Sequence, residues 1–135
     1  MLDDKPLVSV CIPAFNCGRY VGNTLRCLCA QTYASMEIIV VNDGSTDGTL
    51  SIIQEIKDSR IKIIDSDNGG AARARNIACA QASGRYIIFF DADDYVPPDF
   101  ISQQIEKAAS RKDIVVLSAW GRFYQDDLDP FRPDE

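Results

Sequence analysis

The segment from Tyr86 to Asp94 constrains this chain more than any other, because an apolar run ends there abruptly in acid. Its first five residues are Tyr-Ile-Ile-Phe-Phe, a run that predicts a strand buried on both faces of a sheet. Three carboxylates follow within four positions, at Asp91, Asp93 and Asp94. Such a strand would deliver acidic side chains to one point at its carboxyl end.

Asp91 and Asp93 are two residues apart, so an extended backbone would point both side chains the same way. Two carboxylates held that close repel each other unless a proton or a cation lies between them. A hard divalent ion, Mg²⁺ or Mn²⁺, suits an all-oxygen site and keeps positions open for phosphate oxygens. The alternative is that they are solvated turn and cap residues, which is the better interpretation of an isolated Asp-x-Asp.

Composition and charge narrow the classes of partner. A chain of 135 residues fits one domain, with a core at about 6–120 and a polar tail over 121–135. Apolar residues make up 46% and charged residues 25% of the chain, which is typical of a globular protein. Fourteen basic against twenty acidic residues give a net charge of -6. Without a basic cluster, nucleic acid is excluded as a main partner.

The chain has no histidine, which excludes Ser-His-Asp triads, Cys-His dyads and histidine-ligated metals. Its five cysteines form no Cys-x-x-Cys pair, so we interpret them as small buried hydrophobes in a reducing compartment. Asp3 and Asp4 stand where a signal peptide needs basic residues, and no apolar run reaches the length of a membrane span. We therefore expect a cytoplasmic location, with peripheral attachment at the inner face of the membrane as the alternative.

Apolar spacing predicts an alternation of strands and helices. Pro13 should stop the first strand, and Pro97 and Pro98 should begin the last helix. The tail should form no packed element. The predicted strands are 7–12, 36–41, 60–64, 86–90 and 113–118, and the predicted helices are 19–31, 49–57, 71–82 and one after Pro97 with Phe100, Ile101, Ile105 and Ala108 facing inward.

This alternation predicts an α/β fold, a mostly parallel sheet with helices on both faces. Ligands bind such sheets beyond the carboxyl ends of the strands. Four polar loops, at 13–16, 43–46, 67–70 and 91–94, each follow a predicted strand and therefore share one rim. Turn chemistry alone would scatter such residues over both rims, so their coincidence favours a single site.

Four sequence segments carry a resemblance to a known family. They are Val-Ser-Val-Cys-Ile-Pro-Ala-Phe-Asn at 8–16, Val-Asn-Asp-Gly-Ser-Thr-Asp-Gly-Thr at 41–49, Asn-Gly-Gly-Ala-Ala-Arg-Ala-Arg-Asn at 68–76 and Phe-Asp-Ala-Asp-Asp at 90–94. In this combination and order the chain resembles family 2 glycosyltransferases from about residue 6 to residue 125. The resemblance implies the Rossmann-like nucleotide-binding half of a GT-A fold.

The resemblance implies a nucleotide pocket lined by Pro13, Ala14 and Phe15, with a hydrogen bond from the base to Asp43. Phe15 could instead be a core aromatic at a strand end. Asp43 could instead cap the following helix through an Asx-turn. Arg75 would touch the nucleotide or hold Asp43, and a surface salt bridge is its alternative.

At the acidic motif, the resemblance implies that Asp93 ligates the metal and that Asp91 meets the ribose or the metal's hydration shell. Ala92 joins the substrate-binding set. Asp94 would be an acceptor behind the ligands or a turn residue. The resident ion would be Mg²⁺ or Mn²⁺, which the sequence does not distinguish.

The activity implied is transfer of a sugar from a nucleotide-diphosphate donor to an acceptor hydroxyl with inversion. UDP is favoured by analogy with the family, the acceptor would be saccharide, lipid-linked or protein, and the pathway would be cell-wall or polysaccharide biosynthesis. In relatives the catalytic base lies well after the metal motif, so we expect it beyond residue 135. The acceptor-binding half is thus absent from this sequence, and exposed sheet edges favour homo-oligomers.

Two other functions remain open from the sequence. The chain could be a non-catalytic module that binds nucleotide-sugar, or it could be a nucleotidyltransferase. Against the second, the sequence has no phosphate-cradling glycine-rich loop with lysine.

Overall fold

A computed structural model describes residues 5–109, 111–117, 121–122 and 132–133. Within residues 1–102, which form one unit, four parallel strands make a sheet with the spatial order β3-β2-β1-β4. The strands are β1 (Val8–Ala14), β2 (Met36–Asp43), β3 (Ile61–Ser66) and β4 (Tyr86–Phe89).

The helices alternate with these strands as the apolar spacing predicted. They are α1 (Val21–Cys29), α2 (Thr49–Glu55), α3 (Ala71–Gln81) and α4 (Phe100–Ala108). The sheet grows one way through α1 and α2 and reverses through α3, so right-handed crossovers put α3 on the opposite face. The α/β prediction, with helices on both faces, is confirmed. None of the helices in the described ranges is long and apolar enough to cross a membrane.

Both faces of the central strands are buried. All eight residues of β2 are buried, as expected for a parallel strand covered by helices on each side. On the α3 side, Cys11, Ile39 and Val41 pack with Ala74 and Ala78. The small alanine side chains let α3 lie close to β1 and β2, which fixes where its first turn stands above the sheet.

The prediction that residues 86–90 form a strand buried on both faces is wrong. β4 lies at the edge of the sheet, and Ile87 and Phe89 are 41% and 54% exposed. Within the described residues β4 pairs along one side only, with β1. An apolar run does not distinguish an edge strand from a central one.

The predicted stop at Pro13 is also wrong, because β1 continues to Ala14. The Cys11 carbonyl accepts a hydrogen bond from the Phe90 N–H at 3.0 Å, so Cys11 points its polar groups toward β4. Pro13, two residues on, faces the same side. β4 has ended there, so the N–H that proline lacks would have had no strand partner.

The predicted strand 113–118 is wrong over residues 113–117, which form no strand, and Ser118 lies outside the described residues. Val115 and Leu117 are each 84% exposed, so burial of their apolar side chains does not stabilise a strand there. The tail was predicted to lack packed elements, yet Gly121–Arg122 and Arg132–Pro133 form a short antiparallel pair, β5 and β6. Backbone groups alone suffice for such a pair, so polar composition did not exclude it.

A buried carboxylate joins the strands at the rim opposite the polar loops. Glu37, at the start of β2 and 5% exposed, accepts hydrogen bonds from the Ser9 hydroxyl at 2.6 Å and the Ser83 N–H at 2.7 Å. Lys62 of β3 donates to its other oxygen at 2.6 Å. Burial alone would raise the pKa of Glu37, but these hydrogen bonds outweigh burial and lower it from 4.5 to about 2.

Replacing Glu37 with glutamine should lower the free energy of unfolding at neutral pH by about 2 kcal/mol, because charge-assisted hydrogen bonds are lost. The folded-state pKa is lowered, so the carboxylate stabilises the fold above pH 4.5, and that contribution is lost as the pH falls toward 2. The difference between wild type and Glu37→Gln should therefore shrink on acidification. Urea unfolding at neutral pH and at about pH 3 measures it.

Glu55→Gln is the matched control, since Glu55 is exposed at the end of α2. It should change stability by less than about 0.5 kcal/mol at either pH. A Glu37→Gln protein with an unchanged acid profile would contradict the assignment of this carboxylate as an inter-strand tie.

Candidate functional site

The carboxyl ends of the strands surround a cavity of about 550 Å³, a size typical of small-ligand sites. The last residue of β2 and residues of the polar loops that follow β1, β3 and β4 contribute to its lining. Every residue that the sequence assigned to a donor or metal site lies there: Pro13, Ala14, Phe15, Asp43, Arg75, Asp91, Ala92 and Asp93. The structure thus brings together side chains that are up to 80 positions apart in the sequence.

The loop after β1 forms one wall of the cavity. Ala14 is buried at the strand end, whereas Phe15 is 50% exposed. The alternative interpretation of Phe15 as a core aromatic is therefore not supported. Its exposed ring offers a flat apolar surface to a ligand.

Asn16 ties this loop to the one after β2, a contact that sequence reasoning missed. Its side-chain oxygen accepts hydrogen bonds from the N–H groups of Thr46 at 2.8 Å and Asp47 at 3.3 Å. Its own N–H donates to the Ser45 hydroxyl at 3.0 Å. Asn16 has a φ of 46°, a left-handed conformation that asparagine tolerates better than most residues. The tolerance of asparagine for this conformation was the one sequence feature that could have indicated a special role for Asn16.

Asp43 is 2% exposed at the end of β2. Its two carboxylate oxygens accept hydrogen bonds from the N–H groups of Gly69 at 2.8 Å and Gly70 at 3.0 Å. It does not cap α2, because Asp47 accepts the hydrogen bond from Thr49 N–H at 2.9 Å instead. Each Asp43 oxygen keeps a second lone pair, so the carboxylate can hold the 68–70 loop and still accept one hydrogen bond from a ligand.

Gly44 permits the close approach of the two loops. Its φ is +70°, and a Cβ added to it would lie 2.6 Å from the backbone nitrogen of Asn68. Asn68 also donates from its side chain to the Asp43 carbonyl at 3.0 Å. A side chain at position 44 would therefore push the 68–70 loop away from Asp43.

The acidic motif turns instead of continuing the strand. β4 ends at Phe89, and the Asp94 N–H donates to the Asp91 carbonyl at 3.2 Å. The prediction that an extended backbone aligns Asp91 and Asp93 is therefore wrong, although both residues line the same cavity. Apolar spacing marked the strand but carried no information on the conformation after it.

Arg75 forms an ion pair with Asp91, with 2.9 Å between Nη2 and Oδ1. The two side chains are 38% and 56% exposed, so water screens the pair and it contributes at most about 1 kcal/mol. The described hydrogen bond of Arg75 goes to Asp91 and not to Asp43, which accepts from Gly69 and Gly70. Arg75 thus stands at the acidic side of the cavity with further N–H donors free for an anion.

The acidic turn fits a divalent cation only as a shared site. In the part of the chain that the structure describes, no group of three or more His, Cys, Asp or Glu residues could hold a metal. Asp91 and Asp93 supply carboxylate oxygens, and Mg²⁺ is commonly bound by one or two carboxylates together with substrate phosphates. Burial, and then the nearby charges of Asp91 and Asp93, raise the pKa of Asp94.

Tyr20 also lines the cavity and was given no role by the sequence. It precedes α1 and is 45% exposed. Its half-exposed ring adds a second aromatic surface to the cavity beside Phe15.

Comparisons with known proteins bear on this geometry. Residues 9–134 match a family model described as Glycosyl transferase family 2. The chain is 44% identical over 119 residues to the UDP-Glc:alpha-D-GlcNAc-diphosphoundecaprenol beta-1,3-glucosyltransferase WfaP of Escherichia coli, covering 87% of this chain and 46% of WfaP. It is 38% identical over 129 residues to the putative teichuronic acid biosynthesis glycosyltransferase TuaG of Bacillus subtilis, covering 93% and 51%.

Among solved structures, the chain is similar to the mannosyltransferase PcManGT from Pyrobaculum calidifontis in complex with GDP-Man and Mn²⁺. The TM-score is 0.75 and the identity 26%, over 81% of this chain and 34% of that protein. The chain spans about half, or less, of the length of the curated relatives that it matches.

Replacing Gly44 with alanine should lower the free energy of unfolding by about 2 kcal/mol or more, because a Cβ there meets backbone and the φ is strained. Urea unfolding followed by circular dichroism measures the change. Gly48→Ala is the matched control: its φ is -77°, and an added Cβ has no heavy atom within 4 Å. Equal midpoints for the two variants would contradict the close approach at Gly44.

Proposed function

This chain belongs to glycosyl transferase family 2, and on that premise we propose that it is the donor-binding part of an inverting glycosyltransferase. The donor is a nucleoside-diphosphate sugar with UDP as its nucleotide, and the acceptor is a hydroxyl on a saccharide, a lipid-linked molecule or a protein. The observation that carries this proposal is the single cavity shared by an exposed aromatic ring, a buried carboxylate, an arginine and the acidic turn.

The nucleotide end of the donor lies between Phe15 and Asp43. The half-exposed ring of Phe15 gives the base an apolar surface, and the spare lone pairs of Asp43 accept the N–H of a uracil. The relative WfaP is named for UDP-Glc, which supports UDP. The similar mannosyltransferase was solved with GDP-Man, so GDP belongs in the test as a competitor.

The diphosphate end lies at the acidic turn. Asp91 and Asp93 would hold a divalent cation, Mg²⁺ or Mn²⁺, which supplies positive charge against the diphosphate as it leaves. Arg75, held beside the turn by Asp91, donates hydrogen bonds to a phosphate oxygen. Ala92 is 7% exposed and keeps the backbone of the turn against the protein.

The transfer itself breaks the bond between the anomeric carbon and the diphosphate oxygen, and the nucleoside diphosphate leaves with the electron pair. The acceptor oxygen forms the new bond from the opposite face, which gives inversion. Its proton passes to a carboxylate base. We place that base in a region beyond residue 135, such as the longer relatives have.

Two relatives guide the choice of pathway and place. WfaP is named for a diphosphoundecaprenol-linked acceptor and TuaG for teichuronic acid biosynthesis. We propose a role in cell-wall or polysaccharide biosynthesis, on the cytoplasmic side and peripheral at the inner face of the membrane. The exposed apolar side chains of the β4 edge favour a homo-oligomer.

The direct test is titration calorimetry of UDP into the folded chain, with and without Mn²⁺. UDP should bind more tightly with Mn²⁺ than without it. In Asp93→Asn the factor by which Mn²⁺ raises the affinity for UDP should be at least about tenfold smaller, because a charged metal ligand is lost. Asp43→Asn should weaken UDP about tenfold with or without the metal, since it replaces one acceptor oxygen with an amide donor. GDP should bind more weakly than UDP in every case.

Asp99→Asn is the control for removing a carboxylate, because Asp99 is exposed and does not line the cavity. It should bind UDP like wild type. A folded wild-type chain that does not bind UDP in the presence of Mn²⁺ would overturn the proposed function.

A further inference from the structure

One buried hydroxyl on α1 contacts the backbone of the acidic turn. Thr24 is 1% exposed, and its Oγ1 lies 2.9 Å from the Ala92 carbonyl oxygen and 3.0 Å from that of Asp94. Its single proton is shared between these two acceptors. The two carbonyls flank Asp93 on either side, so one side chain fixes the backbone before and after a cavity carboxylate.

A threonine inside a helix ordinarily hydrogen-bonds a carbonyl of its own preceding turn. Thr24 instead reaches out of its helix to residues 68 and 70 positions away. The other described hydrogen bond within the turn is the 3.2 Å contact from Asp94 N–H to the Asp91 carbonyl, at the upper end of the usual range for such bonds. The turn therefore depends on α1 for its conformation.

Gln31, which lies two residues after the end of α1, holds the segment that follows the turn. Its side-chain amide donates to the Pro97 carbonyl at 2.8 Å, and its oxygen accepts from the Ile101 N–H at 3.0 Å. Both ends of the segment from 92 to 101 are thereby anchored, and Thr24 is the anchor on the cavity side.

We propose that Thr24 is a positioning residue that sets the carboxylates of Asp91 and Asp93 toward the cavity. It touches neither donor nor metal and acts through the backbone of Ala92 and Asp94. This inference rests on the proposed function for its consequence, which is the affinity of the metal-dependent donor site. Without the hydroxyl, two carbonyls lose their partner and the turn gains alternative conformations.

The test compares Thr24→Val and Thr24→Ala, which lack the hydroxyl, with Thr24→Ser, which keeps it. In UDP titrations the gain in affinity given by Mn²⁺ should fall about tenfold or more in the first two variants, as when a group that orients a metal ligand is lost. Thr24→Ser should retain most of the gain. UDP binding without Mn²⁺ should be unchanged in all three, because the Phe15 and Asp43 end of the cavity is untouched.

A second arm needs neither ligand nor metal. Amide hydrogen exchange of Asp94, measured by NMR in the metal-free chain, should be faster in Thr24→Val and Thr24→Ala and close to wild type in Thr24→Ser. Ser9→Ala is the matched control, since it removes a buried hydroxyl with two long-range hydrogen bonds at the opposite rim. It should destabilise the fold comparably and leave both the Mn²⁺ gain and the Asp94 exchange unchanged.

The outcomes separate the two proposals. If wild type gains no UDP affinity from Mn²⁺, the metal-dependent donor site fails, and the exchange arm alone decides whether Thr24 orders the turn. If wild type gains affinity and Thr24→Val and Thr24→Ala match it, the positioning role is overturned while the proposed function stands. Failure of both hydroxyl-free variants to fold would also overturn it, because the hydroxyl would then serve the whole fold.

Discussion

The parallel pairing of β1 between β2 and β4 is the constraint on which the site depends. On one side the register runs to the end of the strand, with Ala14 opposite Asn42. On the other side it stops at Cys11 opposite Phe89, three residues earlier, or roughly 10 Å at the rise of a strand. The acidic turn therefore begins beside the last residues of β1 and not beyond them. Because β4 ends before β1, the carboxyl edge of the sheet is concave at this point instead of flat.

β2 carries a buried carboxylate near each end, and their surroundings differ. Glu37 is neutralised by Lys62 and surrounded by hydroxyl and N–H donors, which lower its pKa. Asp43 has two backbone N–H donors and, among the described residues, no ion pair. A buried carboxylate with no cation is costly unless further donors reach it. Glu37 is therefore satisfied by partners within the fold and links the strands. Asp43 keeps lone pairs that can accept hydrogen bonds in the cavity.

Local sequence patterns located the cavity because each polar loop follows a strand, and parallel strands place their carboxyl ends together. They could not reveal that Ile87 and Phe89 face outward, since exposure at a sheet edge depends on what packs there. They also could not reveal the contacts of Asn16 with Thr46 or of Thr24 with Ala92, which join residues 30 and 68 positions apart. Such hydrogen bonds exist only once the sheet order is set. Residues with a local signature, such as Asp43 and Asp93, were found, whereas Thr24, which contacts the acidic turn only through the folded sheet, was not.

The site combines strong supports with one weak contact. The hydrogen bonds of Asn16, Asp43 and Thr24 fix three loops through backbone groups, and two of these side chains are almost fully buried. The ion pair between Arg75 and Asp91 is exposed to water and contributes little. Under the proposed function, a donor phosphate would attract Arg75 and a cation would take its place beside Asp91 at small cost, because this ion pair is weak. The charged side chains of Arg75 and Asp91 can thus change partners, while the hydrogen bonds of Asn16, Asp43 and Thr24 keep the loop conformations fixed.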